Sequence, residues 1–414
     1  MMCGLSCSDP GQKACPEVCP RGETCDDSRG VCEPAALSKF VSETTPGKNV
    51  RLAARDERVF VTMFEPSNRS ILAGEMNTEG ANLVLLASVR SPEHRVQIAT
   101  SSTRVFVVWL SELGSFELAY RNIRASNSVW TFRTMETGEA YGGTEEFDLD
   151  VDGDGNVFVA FQGTDHTLKL LSGSPDSAAD FRLRSVDDGS ASNNGIACPD
   201  SLRDNQDASG VGIEPSIVVG PGTLAISYFD VDCGDLRLAQ QNQDGGFLID
   251  VVDTGSFEGE LAPMQRGRAG RYSSIAVDPS TGGVAVAYMD EARSRVVFAS
   301  HDVTGYRIEI VDDGVELDEF ARERKALVGA FTKLSFTSGG AANITYMNTS
   351  ATEVLVARRP NGGSRWFGQT LSAEGLVGFS VDHVYSDESG LVVASERLNV
   401  GPDGYESTLE AIWE

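Results

Sequence analysis

Seven times along the chain a continuous apolar run is followed, after a short polar break, by a shorter apolar run. The three clearest copies also share a preceding run. They cover residues 215–219, 224–230 and 236–239; 273–277, 284–290 and 296–299; and 333–336, 343–348 and 354–357. Fainter copies pair 59–63 with 71–73, 105–109 with 116–119, 157–161 with 168–171, and 391–395 with 409–412. A further kind of run alternates apolar with polar: 130–133, 181–184, 247–250, 306–310 and 366–369. Continuous apolarity marks a strand buried on both faces, and alternation marks one half open to solvent. Each unit therefore predicts four antiparallel strands, with the second buried deepest and the last facing outward.

Self-similar four-stranded units recurring every ~40–50 residues, some stretched by insertions, are the mark of propeller blades. The pattern predicts an all-β, seven-bladed β-propeller over residues 37–414, preceded by a small disulfide-rich segment over 1–36. The chain ends on a third strand, 408–413, which leaves the seventh unit without its outermost strand. Residues 39–47 read like the exits of the other outermost strands, such as 250–255. The segment from Phe40 to Thr44 is therefore expected to complete the seventh blade and close the ring, which removes an unpaired edge.

Composition sharpens this picture. Forty-three glycines and few aromatics suit many short strands joined by tight turns. The net charge of −27 repels phosphate backbones and anionic lipid, so nucleic acid is not expected as a partner. No stretch approaches the ~20 apolar residues of a spanning helix, and residues 1–7 are too short for a whole signal peptide.

Six of the eight cysteines fall in the first 32 residues: Cys3, Cys7, Cys15, Cys19, Cys25 and Cys32. Such density in a short Pro/Gly-rich stretch implies an oxidising compartment, with Cys15, Cys19, Cys25 and Cys32 expected in disulfides. The cluster lacks histidine and a Cys-x-x-Cys pair, which argues against zinc. Leu5-Ser6-Cys7 loosely resembles the end of a bacterial lipoprotein signal, which would make Cys7 a lipidation site and give the chain a lipid anchor.

In a four-stranded blade, the loops after the second strand and those after the outermost strand emerge on one face. The long insertions at 189–211, 254–272 and 313–332 are all of the latter kind, and insertions crowded on one face mark the working face. Cys198 and Cys233 both fall on that rim, where a disulfide between them would pin the longest insertion. The polar residues just after the second strands, Glu65, Ser111, Gln162, Asp230, Asp290 and Asn348, read as a ring around the channel mouth. With Arg266, Arg268, Arg271, Arg322, Arg324 and Lys325 from the insertions, Asp230 and Asp290 make a candidate mixed-charge binding site. The competing reading makes the aspartates turn caps and the cations a balance to the acidic rim.

Residues 148–156 alternate aspartate with glycine, so Asp150, Asp152 and Asp154 are candidate calcium ligands. The bidentate glutamate of such loops is absent, and the segment sits where a hairpin must turn, for which Asp-Gly is favoured chemistry. The four histidines are scattered, and there is no nucleophile elbow, phosphate loop or dinucleotide fingerprint.

The repeat in residues 215–239 resembles those of secreted and lipid-anchored bacterial propellers, especially myxobacterial ones. The spacing of Cys15, Cys19, Cys25 and Cys32 is similar to the cysteine-rich modules that precede such domains. The resemblance implies export and a cell-surface setting, without a shared activity. Two functions are carried forward. One is a non-catalytic extracellular or cell-surface binding or scaffold protein that takes a protein or glycan ligand on the insertion-bearing face. The other is a hydrolase or lyase acting on extracellular glycans or peptides with carboxylates at the channel mouth.

Overall fold

The structure is a computed structural model. It describes residues 23–26, 31–34, 38–41, 48–89, 95–112, 114–125, 128–135, 146–177, 181–189, 210–255, 268–302, 305–317, 320, 322–373, 375–401 and 404–413. Among these residues there is no helix, and the strands form the seven blades that the repeat predicts. From innermost to outermost, blade one is Lys48–Arg55, Arg58–Glu65, Ser70–Asn77 and Gly80–Ser88. Blade two is Val96–Thr100, Arg104–Leu110, Phe116–Asn122 and Thr131–Met135. Blade three is Phe147–Val151, Val157–Gln162, Leu168–Gly173 and Arg182–Asp187. Blade four is Val211–Gly220, Thr223–Asp230, Asp235–Gln241 and Phe247–Asp253. Blade five is Ala269–Val277, Val284–Asp290, Arg295–Asp302 and Gly305–Asp312. Blade six is Val328–Phe336, Ala342–Asn348, Glu353–Arg359 and Phe367–Ser372.

Blade seven is assembled from both ends of the chain. Asp382–Ser386, Gly390–Gly401 and Gly404–Trp413 are followed outward by Ser38–Val41, with Phe40 opposite Ala411. The closure is the one expected, but the strand begins two residues earlier than Phe40 and ends at Val41. Residues 42–47 lie outside the described residues. The third insertion folds a hairpin of its own, Val315–Leu317 with Glu323–Lys325.

Burial follows the sequence gradient. Val284–Asp290 is buried at every position, whereas Thr131–Met135 is mostly exposed. The core therefore lies between blades rather than within one. A typical cluster joins Leu238 and Val252 of blade four to Ile275, Val286 and Tyr288 of blade five. Tyrosines in three second strands latch this interface. Tyr228 donates to Asp187 Oδ2 at 2.6 Å, Tyr346 donates to Asp312 Oδ2 at 2.7 Å, and Tyr288 donates to Asp253 in the same way. Each aspartate ends the outermost strand of the preceding blade, and its other oxygen accepts the amide of a glycine two residues on, Gly189, Gly255 or Gly314. Buried polar groups must be paired, and here one carboxylate satisfies a turn and a neighbouring blade together.

Every innermost strand is an edge strand with unpaired backbone groups facing the channel. A belt of side chains running round the ring links each one to the next. Arg51 donates to Gln97, Gln97 to the Phe147 carbonyl, and the Ile217 amide to Asp148. The Ile275 amide then donates to Ser216 and the Leu334 amide to Ser274; Ser335 bonds His383, and the Leu52 amide donates to Asp382. His383 is buried, with Thr345 on its other nitrogen at 2.7 Å. Burial pulls its imidazole down to about 4, so it is neutral at physiological pH and serves as a belt member.

Candidate functional site

The residues singled out from sequence do not converge. Asp230 and Asp290 are each 1% exposed, outside the innermost strands. Asp230 accepts the amides of Asp232 and Cys233 and pairs with Arg237, while Asp290 accepts the Arg293 amide and pairs with its guanidinium. Asn348 caps its own turn in the same manner, through the Ala351 amide. These three members of the ring thus cap the turns that follow their own strands.

Arg268 reaches Glu291 at 3.7 Å, Arg324 pairs with Glu316 at 3.0 Å, and Arg322 lies over the Phe320 ring. Arg271 grips Glu214, which lines the channel mouth. Arg266 lies outside the described residues. Cys233 is disulfide-bonded, and Cys198 lies outside the described residues. So do Cys3, Cys7, Cys15 and Cys19, while Cys25 and Cys32 are directly opposite each other across the hairpin of Glu23–Asp26 and Val31–Pro34.

The three aspartates named as candidate calcium ligands take different roles. Asp152 caps its hairpin by accepting the Asp154 and Asn156 amides, at 3.0 and 2.9 Å. Asp154 is exposed, and Asp150 turns into the channel, where it accepts the Val219 and Val151 amides at 2.6 and 2.8 Å. The three carboxylates part because Asp150 lies in the innermost strand, Phe147–Val151, whereas Asp152 and Asp154 lie in the turn that follows it. Among the described residues no group of acidic, histidine and cysteine side chains is placed to hold a metal.

Burial pushes the Asp150 carboxyl up to about 7, against the two amides that favour its charge. A carboxyl raised in the fold adds stability through its proton below the ordinary value of about 3.9, and that contribution is lost as pH rises through the folded value. Urea midpoints measured at about pH 4.5 and about pH 7.5 should therefore fall with pH in the native protein and fall less in Asp150→Asn. Parallel profiles would contradict this role.

A cavity lies at the mouth of the central channel, at the ends of the innermost strands that receive the long insertions. Its empty space, open solvent included, is about 540 Å³, and all seven innermost strands or their approaches line it, from Arg51 in blade one to Val381 in blade seven. A repeated backbone device shapes it. In four blades the innermost strand carries a bulge with a non-glycine residue in the left-handed region: Asn49, Glu214, Tyr272 and Phe331, with φ between 47° and 55°. Such conformations cost about 1–3 kcal/mol each and gather at functional sites. Three of these residues, Glu214, Tyr272 and Phe331, line the mouth.

The mouth pairs charge with aromatic surface. The Tyr272 and Phe331 rings stand 5.3 Å apart. Arg271 donates through Nε to Glu214 Oε1 at 2.9 Å and lies over the rings of Phe229 and Tyr272. Glu214 also accepts the Tyr272 amide. Arg95 pairs with Glu146 at 2.9 Å. Burial first, and Glu214 second, push the Glu146 carboxyl up, while Arg95 and Arg271 oppose the shift. Burial and Glu214 likewise raise the Tyr272 phenol.

Sequence reasoning passed over these residues because the bulge repeats a backbone shape and not a side chain. The usable signal was the glycine two positions earlier, Gly212, Gly270 and Gly329, each with positive φ.

No known protein family matches the sequence, and no curated protein is similar to it. Among solved structures, a polysaccharide lyase, Uly1, matches over 90% of this chain and 91% of its own, with TM-score 0.52 and 11% identity. AofleA from Arthrobotrys oligospora matches over 82% and 91%, with TM-score 0.47 and 11% identity. A fucose-specific lectin from Aleuria aurantia matches over 79% and 97%, with TM-score 0.47 and 10% identity. Likeness at such identities is a likeness of fold.

Proposed function

We propose that the protein is a non-catalytic binding protein of the extracellular space or outer cell surface, which takes a glycan or peptide into the channel mouth. One observation carries this reading. The mouth brings Tyr272 and Phe331 together with Arg95, Glu146 and Glu214 in one cavity, and Arg271 clasps Glu214 beside it. The two glutamates are each held by a guanidinium, an arrangement suited to hydrogen-bonding a polar ligand beside an apolar face. The disulfide at Cys233 and the cysteine-rich start support an oxidising location. An acyl anchor at Cys7, as in the exported bacterial propellers that the repeat resembles, would hold the protein at the surface.

The enzymatic alternative, a hydrolase or lyase, now rests on Glu146, whose raised carboxyl is the kind of group a general acid uses. Glycan and peptide arrays probed with the purified protein separate the two. A captured ligand should lose at least about tenfold in affinity with Tyr272→Ala and keep it with Arg324→Ala, which lies off the mouth. Turnover of a captured glycan or peptide that Glu146→Gln abolishes would replace binding by catalysis. Capture indifferent to Tyr272→Ala would remove the mouth from the function.

A further inference from the structure

We infer that the floor of the channel mouth is a carboxylate site built on Arg51, which receives the acidic group of the ligand. The inference rests on the binding role of the mouth and names the chemistry of what binds there.

Arg51 lines the mouth cavity and is 9% exposed. Its guanidinium is held entirely by neutral acceptors. Nε donates to Gln97 Oε1 at 3.2 Å, and Nη1 donates to the Val50 carbonyl at 2.8 Å and to Ser380 Oγ at 3.3 Å. Nη2 has no hydrogen bond, and the side chain no ion pair, among the described residues. Other buried guanidiniums are treated differently: Arg237 sits between Asp187 and Asp230, and Arg271 is clasped by Glu214.

Acidic groups stand near Arg51, but they are engaged elsewhere. Asp382 accepts the Leu52 and His383 amides and lies 3.6 Å from Lys333. Asp148 accepts the Ile217 amide and the Ser216 hydroxyl, and Glu146 is taken by Arg95. Burial accordingly pulls the Arg51 guanidinium below its ordinary value, although Asp382 opposes this.

A desolvated cation without a counter-charge is costly, and proteins keep one where a ligand supplies the charge. The orientation is fixed in advance. Gln97 spends its amide on the Phe147 carbonyl at 2.7 Å, so its oxygen must face Arg51. That leaves Nη2 as the donor turned to an incoming oxygen, and a carboxylate suits guanidinium geometry. Arg95 and Lys333 add positive charge to the same cavity of a chain whose net charge is −27. Tyr272 and Phe331 line it as well and offer a face for the body of the molecule. A uronate sugar and the free C-terminus of a peptide share this chemistry.

Calorimetric titration of the full chain tests the site with paired probes. Glucuronate is set against glucose, and an N-acetylated dipeptide acid against its amide. One of the two acids should bind at least about tenfold more tightly than its neutral twin, and which pair discriminates identifies the source. Arg51→Gln should abolish that preference, and its melting temperature reports separately the loss of the Gln97, Val50 and Ser380 hydrogen bonds. Ser380→Asp, which sets a carboxylate beside the guanidinium, should abolish it as well and covers the case in which Arg51→Gln fails to fold. Equal binding of acid and neutral twin, no saturable binding of either acid, or a preference that survives both substitutions would overturn the site. A neutral ligand captured at the mouth and lost with Tyr272→Ala would then leave the binding role standing. Loss of every mouth-dependent ligand would remove both.

Discussion

Replacing Arg237 by methionine should destabilise the protein by about 3–5 kcal/mol at neutral pH, the range seen when one partner of a buried ion pair is removed. Arg237 is 3% exposed and Asp187 and Asp230 are each 1% exposed, so none of the three charges is relieved by solvent. Its Nη1 lies 3.0 Å from Asp187 Oδ2, and its Nη2 contacts Asp230. Asp187 is also the acceptor for Tyr228, so the guanidinium neutralises the latch between blades three and four. Without it, two buried carboxylates face each other with only amides and a phenol for company. Burial already holds the Asp230 carboxyl above its ordinary value despite Arg237, and the variant raises it further. A raised carboxyl adds stability in its protonated form at low pH and loses that contribution as pH rises through its folded value. The deficit of Arg237→Met should therefore be largest near neutrality and narrow toward about pH 4.5. Adding Asp187→Asn and Asp230→Asn should recover much of the loss, because an apolar or neutral replacement of the whole cluster carries no stranded charge. Urea midpoints of the single and triple variants at the two pH values decide it. A loss below about 1 kcal/mol at neutral pH would show that solvent reaches the cluster.

The same cluster shows what the sequence could and could not disclose. Blade number and closure were legible because both are matters of apolar period. The runs that carry Tyr228, Tyr288 and Tyr346 recur with their outer companions, and a missing outermost strand at Trp413 left only residues near Phe40 to supply it. The latch was half visible, as a tyrosine in three of the second strands and an Asp-x-Gly at the end of three outermost strands, at Asp187, Asp253 and Asp312. What was missing is that the two meet across a blade boundary, a contact between distant segments that no local pattern encodes. Asp230 and Asp290 cap the turns after their own strands and do not line the mouth cavity. Strand order gives the end of a blade at which a residue lies, whereas distance from the axis depends on which strand it follows. The mouth residues Glu214, Tyr272 and Phe331 share a backbone conformation and no side-chain chemistry, so comparison of side chains could not align them. Arg51 was invisible for another reason: its distinction is the lack of a carboxylate partner, a property of three-dimensional neighbours.

Gly270→Val should cost about 3–5 kcal/mol and disable the mouth together with the fold around it. Two penalties combine at this position. The backbone φ is 115°, a region hostile to any side chain and most of all to a β-branched one. A Cβ there would also lie 2.9 Å from Leu236 Cα, at the start of the third strand of blade four. That contact cannot yield cheaply, because Leu236 is fully buried and paired in the sheet. The neighbouring Ala269 amide is bonded to the Gly234 carbonyl at 3.1 Å, so the innermost strand of blade five is tied to blade four where the clash falls. Gly245 separates the two penalties. Its φ is 82°, but a Cβ there would meet nothing within 4 Å. Gly245→Val should therefore show the backbone cost alone, about 1–3 kcal/mol. The difference between the two variants in urea midpoint measures the blade-to-blade contact. Gly270 also stands two residues before Tyr272, so a shifted bulge must swing that ring and release Arg271 from Glu214. Ligand capture should consequently fall in Gly270→Val under conditions where the variant is still folded, and it should persist in Gly245→Val. Equal stability losses in the two variants would mean that blade five can slide outward from blade four, and the bulge would then not be what holds the mouth in shape.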